Sequence, residues 1–144
     1  MRQPFPTIHA CALILGTAGL LIRGPSRSGK SSLTLALLSA AQTQGRFARL
    51  VADDRVGLSV EDGCLFASPH PVIAGQIEQR GTGILTLPYE AKAHITHVID
   101  LVSEAAWPLG AARQIALEGI ELMHFEIPTS LPKEMAALEL LSKI

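Results

Sequence analysis

Residues 24–31 read Gly24-Pro25-Ser26-Arg27-Ser28-Gly29-Lys30-Ser31 and match G-x-x-x-x-G-K-[ST], the pattern of a phosphate-binding loop. An apolar run precedes the loop at 20–22 and a helix-like run follows at 32–38, as the motif requires. Glycines let backbone N–H groups turn toward phosphate oxygens, and the helix N-terminus adds positive charge. A glycine- and serine-rich turn could match by chance, but the flanks favour a nucleotide-phosphate site that includes Ser32.

The composition predicts a folded chain with a substantial core. Of 144 residues, 48% are hydrophobic and 17% are charged, so we expect one domain over residues 1–144. The net charge of −1 implies no broad attraction to nucleic acid or membrane. The apolar run 10–22 is interrupted by Gly16 and is shorter than the ~20 residues of a membrane span. Cys11 and Cys64 lack metal-ligand spacing and predict reduced core thiols in a cytoplasmic protein.

Short strands outnumber helices in the predicted element order. An ordinary phosphate-loop NTPase alternates strand and helix, whereas this chain places hairpins around one helix, so we predict an α/β fold with a mixed, hairpin-rich sheet. On the last helix, Met135, Leu138 and Leu141, extended by Ile144, are expected to share an apolar face for packing or a subunit contact. The predicted strands are 8–15, 20–23, 49–52, 56–60, 64–67, 97–102, 114–117 and 120–127; the helices are 31–41 and 132–144; 68–71 and 88–94 are expected as loops.

Two adjacent acids, Asp53 and Asp54, follow the apolar strand predicted at 49–52. Enzymes with a phosphate loop commonly place a Mg²⁺ ligand and a catalytic base at the end of a core strand. An Asp-Asp turn is the alternative, because Asp favours turns. The position of the pair after a phosphate loop favours the functional interpretation.

A third stretch, 77–85, carries Glu78 and Arg80 two residues apart, so that in an extended segment they would share one face. Glu78 could offer Mg²⁺ an oxygen ligand, and Arg80 could offset phosphate charge. Gly81 and Gly83 would let the backbone approach a substrate. The alternative is a salt-bridged surface strand that runs into a turn, and the preceding phosphate loop argues against it.

These motifs together resemble the catalytic domain of HPr kinase/phosphorylase. The resemblance rests on His9, the loop 24–31, the stretch 50–56 (Leu-Val-Ala-Asp-Asp-Arg-Val) and the stretch 77–84 (Ile-Glu-Gln-Arg-Gly-Thr-Gly-Ile). The order of the motifs and the interval from His9 to Lys30 are similar to the family's, and the chain length resembles a short form found in alphaproteobacteria. The resemblance implies a mixed-sheet core shared with phosphoenolpyruvate carboxykinases.

The resemblance also implies a reaction, the transfer of the γ-phosphoryl group of ATP to a serine of HPr, the phosphocarrier of the sugar phosphotransferase system. Lys30 would contact the transferred group, while Ser31, Asp54 and Glu78 would bind Mg²⁺. Many family members also run phosphorolysis of phosphoserine. Longer members form hexamers, so a homo-oligomer is expected.

The remaining roles implied by the resemblance concern proton transfer and charge. Asp54 would take the serine proton, with Asp53 supporting it and His9 beside the pair. Arg80 would stabilise charge on the phosphoryl group. Such residue types suit a reaction that depends mainly on positioning and electrostatics.

The sequence departs from the family pattern at several positions. Pro25 stands where the family usually has Asp, and Arg27 is bulky for a loop residue. The turn 107–110 lacks the family's Arg, and a Pro-Gly-Arg-Asn loop is absent after Ile127. Kinase activity is therefore implied more firmly than phosphorylase activity. Two alternatives are a small-molecule kinase of related fold and a nucleotide-binding sensor, although a sensor would not need the acidic pair.

Overall fold

The computed structural model describes residues 6–144, in which short strands build a mixed sheet between two helices and a smaller sheet. None of the helices among these residues combines the length and apolar character of a membrane-spanning helix. The strands are β1 (Cys11–Leu15), β2 (Ala18–Arg23), β3 (Ala48–Ala52), β4 (Val56–Glu61), β5 (Cys64–Pro69), β6 (Gln76–Gln79), β7 (Gly83–Thr86), β8 (Ala93–Ile95), β9 (His97–Val102), β10 (Arg113–Leu117) and β11 (Ile120–Pro128); the helices are α1 (Lys30–Thr43), α2 (Lys133–Lys143) and a 3₁₀ turn at Pro71–Ile73.

The main sheet has the strand order β10-β11-β9-β2-β1-β3. The central strand β9 runs parallel to both β2 and β11, whereas β1–β2 and β10–β11 are antiparallel hairpins. Since β9 is covered on both faces, it reads as a nearly continuous apolar run, as a buried parallel strand should. The prediction of a mixed, hairpin-rich sheet is confirmed.

Each face of the main sheet packs against a different layer. On one face, Leu33 and Leu37 of α1 and Leu140 of α2 are buried against β9 and its neighbours. On the other face, Leu65 and Ile95 of the small sheet β4-β5-β8 are buried against residues such as Leu21 and Val98. Burying each Leu, Ile or Val side chain stabilises the fold by about 1.5–3 kcal/mol.

The topology brings the ends of β2 and β3 to one edge of the main sheet. The intervening strand β1 is antiparallel to both, so β2 and β3 point in the same direction. The chain therefore leaves β2 into the loop 24–29 and leaves β3 into Asp53 at neighbouring positions. Ligands in α/β sheets commonly bind beyond the carboxyl ends of such strands.

Several sequence-based element assignments were wrong in detail. The first strand begins at Cys11 rather than at residue 8, and the expected loop 88–94 already contains the start of β8. The expected loop at 68–71 begins as the end of β5, because Pro69 still pairs with Val56. Proline ends strands, but it is tolerated on an edge or terminal position, which the sequence did not reveal.

The apolar face assigned to the last helix was wrong in part. Leu141 is buried, but Met135 and Leu138 are 50% and 56% exposed. The buried face of α2 instead combines Leu140 and Leu141 with small residues, Ala136 and Ala137. Two adjacent alanines allow α2 to approach α1 closely. The spacing of the large apolar residues alone indicated a different face of the helix.

Candidate active site

The loop after β2 is held by its own backbone and by Lys30. The Lys30 ammonium donates to the carbonyl oxygens of Gly24, at 2.9 Å, and Pro25, at 3.1 Å. The Ser28 N–H donates to the Pro25 carbonyl at 3.1 Å. Lys30 is therefore bonded to neutral acceptors that a charged ligand could replace.

The end of the loop requires a glycine. Gly29 has φ +100°, a backbone conformation that residues with a side chain rarely adopt, and the Lys133 side chain packs against it. Because Gly29 directly precedes α1 and carries no side chain, it leaves the first-turn N–H groups of the helix uncapped. In the described part of the chain, the buried hydroxyl of Ser28 also lacks a hydrogen-bond partner. These features are typical of an anion-binding loop.

Asp53 is buried beneath the loop and accepts hydrogen bonds from three different segments. The Ser31 hydroxyl donates at 2.5 Å and the Cys11 thiol at 3.1 Å to one carboxylate oxygen. The other oxygen accepts the Glu78 N–H at 3.0 Å. Asp53 thus joins the ends of β1 and β3 to the start of α1 and to β6.

Asp54, the next residue, points the other way. Its side chain is 62% exposed, and Nδ1 of His9 lies 3.5 Å from one of its oxygens. The backbone of Asp54 has φ +67°, in the left-handed region that Asp tolerates better than most residues. This conformation separates the two carboxylates, so that Asp53 faces the interior and Asp54 faces solvent.

Glu78 and Arg80 reach the site by a route that differs from the expected extended segment. Glu78 lies in β6, but Arg80 follows β6 in the turn of the β6–β7 hairpin. The two residues therefore do not share a strand face. The Asp53 bond to the Glu78 backbone nevertheless anchors this hairpin beside the loop, and both side chains line the same cleft.

A cleft of about 320 Å³ lies between the loop, α1 and the β6–β7 hairpin. Cationic and anionic side chains share it, so a ligand here would meet both signs of charge. The lining residues are Cys11, Ser26, Arg27, Gly29, Lys30, Ser31, Ser32, Asp54, Glu78 and Arg80.

Proteins similar to this chain in sequence, and one solved structure, have related names. The chain is 36% identical over 85 residues to the HPr kinase/phosphorylase of Clostridium tetani, covering 59% of this chain and 26% of that protein. It is 38% identical over 106 residues to HPr kinase/phosphorylase 1 of Oceanobacillus iheyensis, covering 68% and 32%. The solved structure of the Hpr(Ser) kinase/phosphatase from Coxiella burnetii matches with a TM-score of 0.76 and 28% identity, over 95% of this chain and 93% of that one.

The chain belongs to the HPr kinase/phosphorylase family. No family model matches the chain. It spans 26% and 32% of the length of the two curated HPr kinase/phosphorylases named above. The agreement with the Coxiella structure extends instead over nearly the whole of both chains.

The structure gathers the residues singled out from the HPr kinase/phosphorylase resemblance. Most of them line the cleft, while Asp53 lies beneath it and His9 beside Asp54. Gly24, Pro25 and Ser28 shape the loop without lining the cleft.

Cys11 was assigned to the core by sequence, and its position in the site was missed. It is buried, as expected, yet its thiol lines the cleft and bonds Asp53. Burial and the nearby Asp53 charge raise the pKa of the Cys11 thiol to about 12. No local pattern indicated this role, because the chain bends at His9 and the thiol meets a carboxylate 42 residues away in the sequence.

Lys133 was also missed. Its side chain lies against Gly29, and its ammonium donates to the carbonyls of Thr129, at 3.0 Å, and Leu131, at 3.2 Å. Burial lowers the pKa of Lys133, and the neighbouring Glu134 opposes that shift. A separation of more than a hundred residues between Gly29 and Lys133 left no local pattern that could have indicated this contact.

Proposed function

We propose that residues 1–144 form a single kinase catalytic domain that transfers the γ-phosphoryl group of ATP to a serine of HPr in the cytoplasm. The observation that carries the proposal is the convergence of Lys30, Ser31, Asp54, Glu78 and Arg80 on one cleft at a glycine-rich loop. The names of the HPr kinase/phosphorylase relatives support the protein acceptor.

The loop and the start of α1 would hold the phosphates. In such motifs, backbone N–H groups of the loop bind phosphate oxygens, and the helix N-terminus favours negative charge. Lys30 would exchange the carbonyls of Gly24 and Pro25 for the oxygens of the transferred group. Arg27 and Arg80 add positive charge at the rim of the cleft.

Asp54 is the proposed base. In the reaction the bond from the γ-phosphorus to ADP breaks, a bond to the serine oxygen forms, and the serine proton passes to a carboxylate oxygen of Asp54. Its exposure allows a protein substrate to approach, and His9 can orient it. Asp53 would position Ser31 and the β6–β7 hairpin rather than take the proton, because its oxygens already accept three hydrogen bonds.

Mg²⁺ is the proposed metal cofactor. No group of three His, Cys, Asp or Glu side chains within residues 6–144 is arranged to hold a metal by itself. Mg²⁺ usually keeps waters and phosphate oxygens and takes only one or two carboxylates. The Ser31 hydroxyl and the Asp54 and Glu78 carboxylates are hard donors around one cleft, so these residues fit. When bound, Mg²⁺ would neutralise charge that develops on the phosphates.

The decisive experiment combines purified protein, ATP, Mg²⁺ and HPr, with intact-mass detection of HPr. We expect HPr to gain one phosphate on a serine, and Lys30→Ala to abolish the gain. Asp54→Asn should reduce turnover by about 100-fold or more while ATP affinity changes less than about threefold, as expected for a base. An equal loss of MgATP affinity and turnover in Asp54→Asn would mean that Asp54 acts as a Mg²⁺ ligand and not as the base.

Other results would redirect the proposal. If ATP binds but HPr stays unmodified, the acceptor is wrong, and small-molecule acceptors become the next test. Adding phosphate to phosphoserine-HPr without ATP tests phosphorolysis. Light scattering of the purified protein tests the expected homo-oligomer.

A further inference from the structure

A second concave surface, here called the helix groove, runs along α1 beside α2 and has a volume of about 560 Å³. Its floor follows one stripe of α1, from Ser32 in the first turn to Thr43 in the last, a distance of about 16 Å at 1.5 Å per residue. Glu134 and Leu138 line it from α2, and Gln79 and Arg80 line it from the β6–β7 hairpin. The volume is in the range of small-molecule sites.

The helix groove is continuous with the phosphate cleft. Ser32 and Arg80 line both. Ser32 directly follows Ser31, so the groove begins where the loop passes into α1. A ligand whose phosphates lie on the loop would therefore have a path into the groove across Ser32.

The position of Asp54 favours that direction. The proposed function brings the acceptor hydroxyl to the terminal phosphate beside the exposed Asp54 carboxylate, so the rest of the ligand must leave the cleft elsewhere. Asp54 does not line the helix groove, which therefore offers such an exit. An ATP molecule bound with its terminal phosphate at Lys30 would thus extend its nucleoside along α1.

The side chains of the helix groove suit a nucleoside. Leu35, Ala36 and Leu138 provide an aliphatic surface for the faces of a base and ribose. Gln44 and Gln79 provide amides that can donate to or accept from base edges and ribose hydroxyls. Leu138 is 56% exposed, so it has apolar surface left to cover.

We propose that the helix groove binds the nucleoside part of the nucleotide whose phosphates occupy the cleft, an inference that rests on the proposed ATP-dependent function. The phosphate chain is held by the loop, and the base and ribose lie on the α1 stripe against Leu138.

The test compares ATP with inorganic tripolyphosphate, which has the phosphate chain but no nucleoside, both with Mg²⁺ and measured by calorimetry. Leu138→Gln removes apolar surface from the groove, and Ala36→Phe fills it. We expect ATP affinity to fall about fivefold to tenfold in Leu138→Gln and at least tenfold in Ala36→Phe. Tripolyphosphate affinity should change less than twofold in both.

Met135→Gln is the matched control. Met135 is 50% exposed on the same helix but does not line the helix groove, so ATP and tripolyphosphate should both bind within twofold of wild type. Thermal unfolding verifies that each variant is folded. If Ala36→Phe does not fold, Leu138→Gln decides the question, since it alters only an exposed side chain.

The outcomes separate this inference from the proposed function. If Leu138→Gln lowers the affinity for both ligands equally, or for neither, the nucleoside does not lie in the groove. If light scattering shows that Leu138→Gln dissociates an oligomer without changing the ATP-to-tripolyphosphate affinity ratio, the groove is a subunit contact and the inference is wrong. If wild type binds neither ligand, the proposed function itself fails.

Discussion

Asp100 lies within the main sheet and Asp53 directly follows β3, and the two carboxylates have opposite surroundings. Asp100 in β9 accepts two hydrogen bonds from the Arg23 guanidinium, both at 2.8 Å, and lies 2.8 Å from Nε2 of His124. Asp53, only 7% exposed, accepts bonds from a hydroxyl, a thiol and a backbone N–H. Within residues 6–144, no cationic side chain forms an ion pair with Asp53, whereas Asp100 has Arg23 and His124.

The contrast separates a carboxylate whose charge is paired within the fold from one that is proposed to act in the site. At Asp100 the partly buried charge is paired with Arg23 and His124 inside the fold, so breaking these pairs should cost stability. At Asp53 the donors are neutral, and the charge is left to act on whatever binds in the adjoining cleft. The fold keeps Asp53 in place through three donors, although burial of an unbalanced charge is costly.

Asp53→Asn should have the largest effect, on activity. An amide can accept with one atom only, so either Ser31 or the β6–β7 hairpin loses its acceptor. We expect kcat for phosphoryl transfer to fall by about 100-fold, while the free energy of unfolding changes by less than about 1 kcal/mol, because losing an unbalanced charge offsets the lost bond. Steady-state kinetics and urea unfolding measure both quantities.

Asp62→Asn is the control for Asp53→Asn, since Asp62 lies exposed in the β4–β5 turn. It makes the same chemical change far from the loop and should leave kcat within twofold. A loss at Asp62 comparable with that at Asp53 would mean that the assay reports folding rather than chemistry.

Asp100→Asn should show the reverse pattern. Removing the carboxylate charge leaves Arg23 half-buried without its counter-ion, and we expect the free energy of unfolding to fall by about 2–3 kcal/mol. Turnover per folded molecule should fall less than tenfold.

A double-mutant cycle with Arg23→Gln measures the coupling between Asp100 and Arg23 directly. If Asp100→Asn reduced kcat as deeply as Asp53→Asn at unchanged stability, the proposed distinction between the two residues would be wrong.

The contribution of Asp100 should vanish in acid. Burial alone would raise the pKa of Asp100, but hydrogen bonds from Arg23 and His124 outweigh it and hold the pKa below its ordinary value of 3.8. The carboxylate therefore stabilises the fold fully above that value, and the stabilisation is lost as pH falls through the folded-state pKa. The difference in unfolding free energy between wild type and Asp100→Asn should shrink progressively as the pH falls below about 5. A constant difference would rule out this ionisation as its cause.

The smallest effect is expected at the Cys11 thiol beside Asp53. With its pKa raised to about 12 and its side chain buried, Cys11 carries almost no thiolate near neutral pH. Iodoacetamide at about pH 8 should modify Cys64, which is only partly buried, and leave Cys11 unmodified by mass spectrometry. Cys64→Ala should then remain unlabelled over the same time. Labelling at Cys11 would show that the Asp53 pocket opens to solvent.

The sequence predicted the parts of the site that local chain geometry controls. Residues 24–31 and the adjacent acids 53–54 each lie within one turn or one strand end, so their residue types limit the local backbone. The β6–β7 hairpin was not predicted, because Gly81 and Gly83 indicate a bend without specifying which strands pair. Cys11 and Lys133 were missed because their roles depend on segments that meet only after folding.

By itself, the sequence determined the family, the glycine-rich loop, the acidic pair and the mixed character of the sheet. These follow from short-range chemistry, since motif spacing and apolar periodicity are read within a few residues. Only the tertiary structure decided that Asp100 is paired with Arg23 and His124 while Asp53 has neutral donors. It also decided where Arg80 enters the cleft and that a groove continues the cleft along α1. Those outcomes depend on strand order and on helix packing between segments far apart in the chain, and charge balance at a buried residue is set by its neighbours in space.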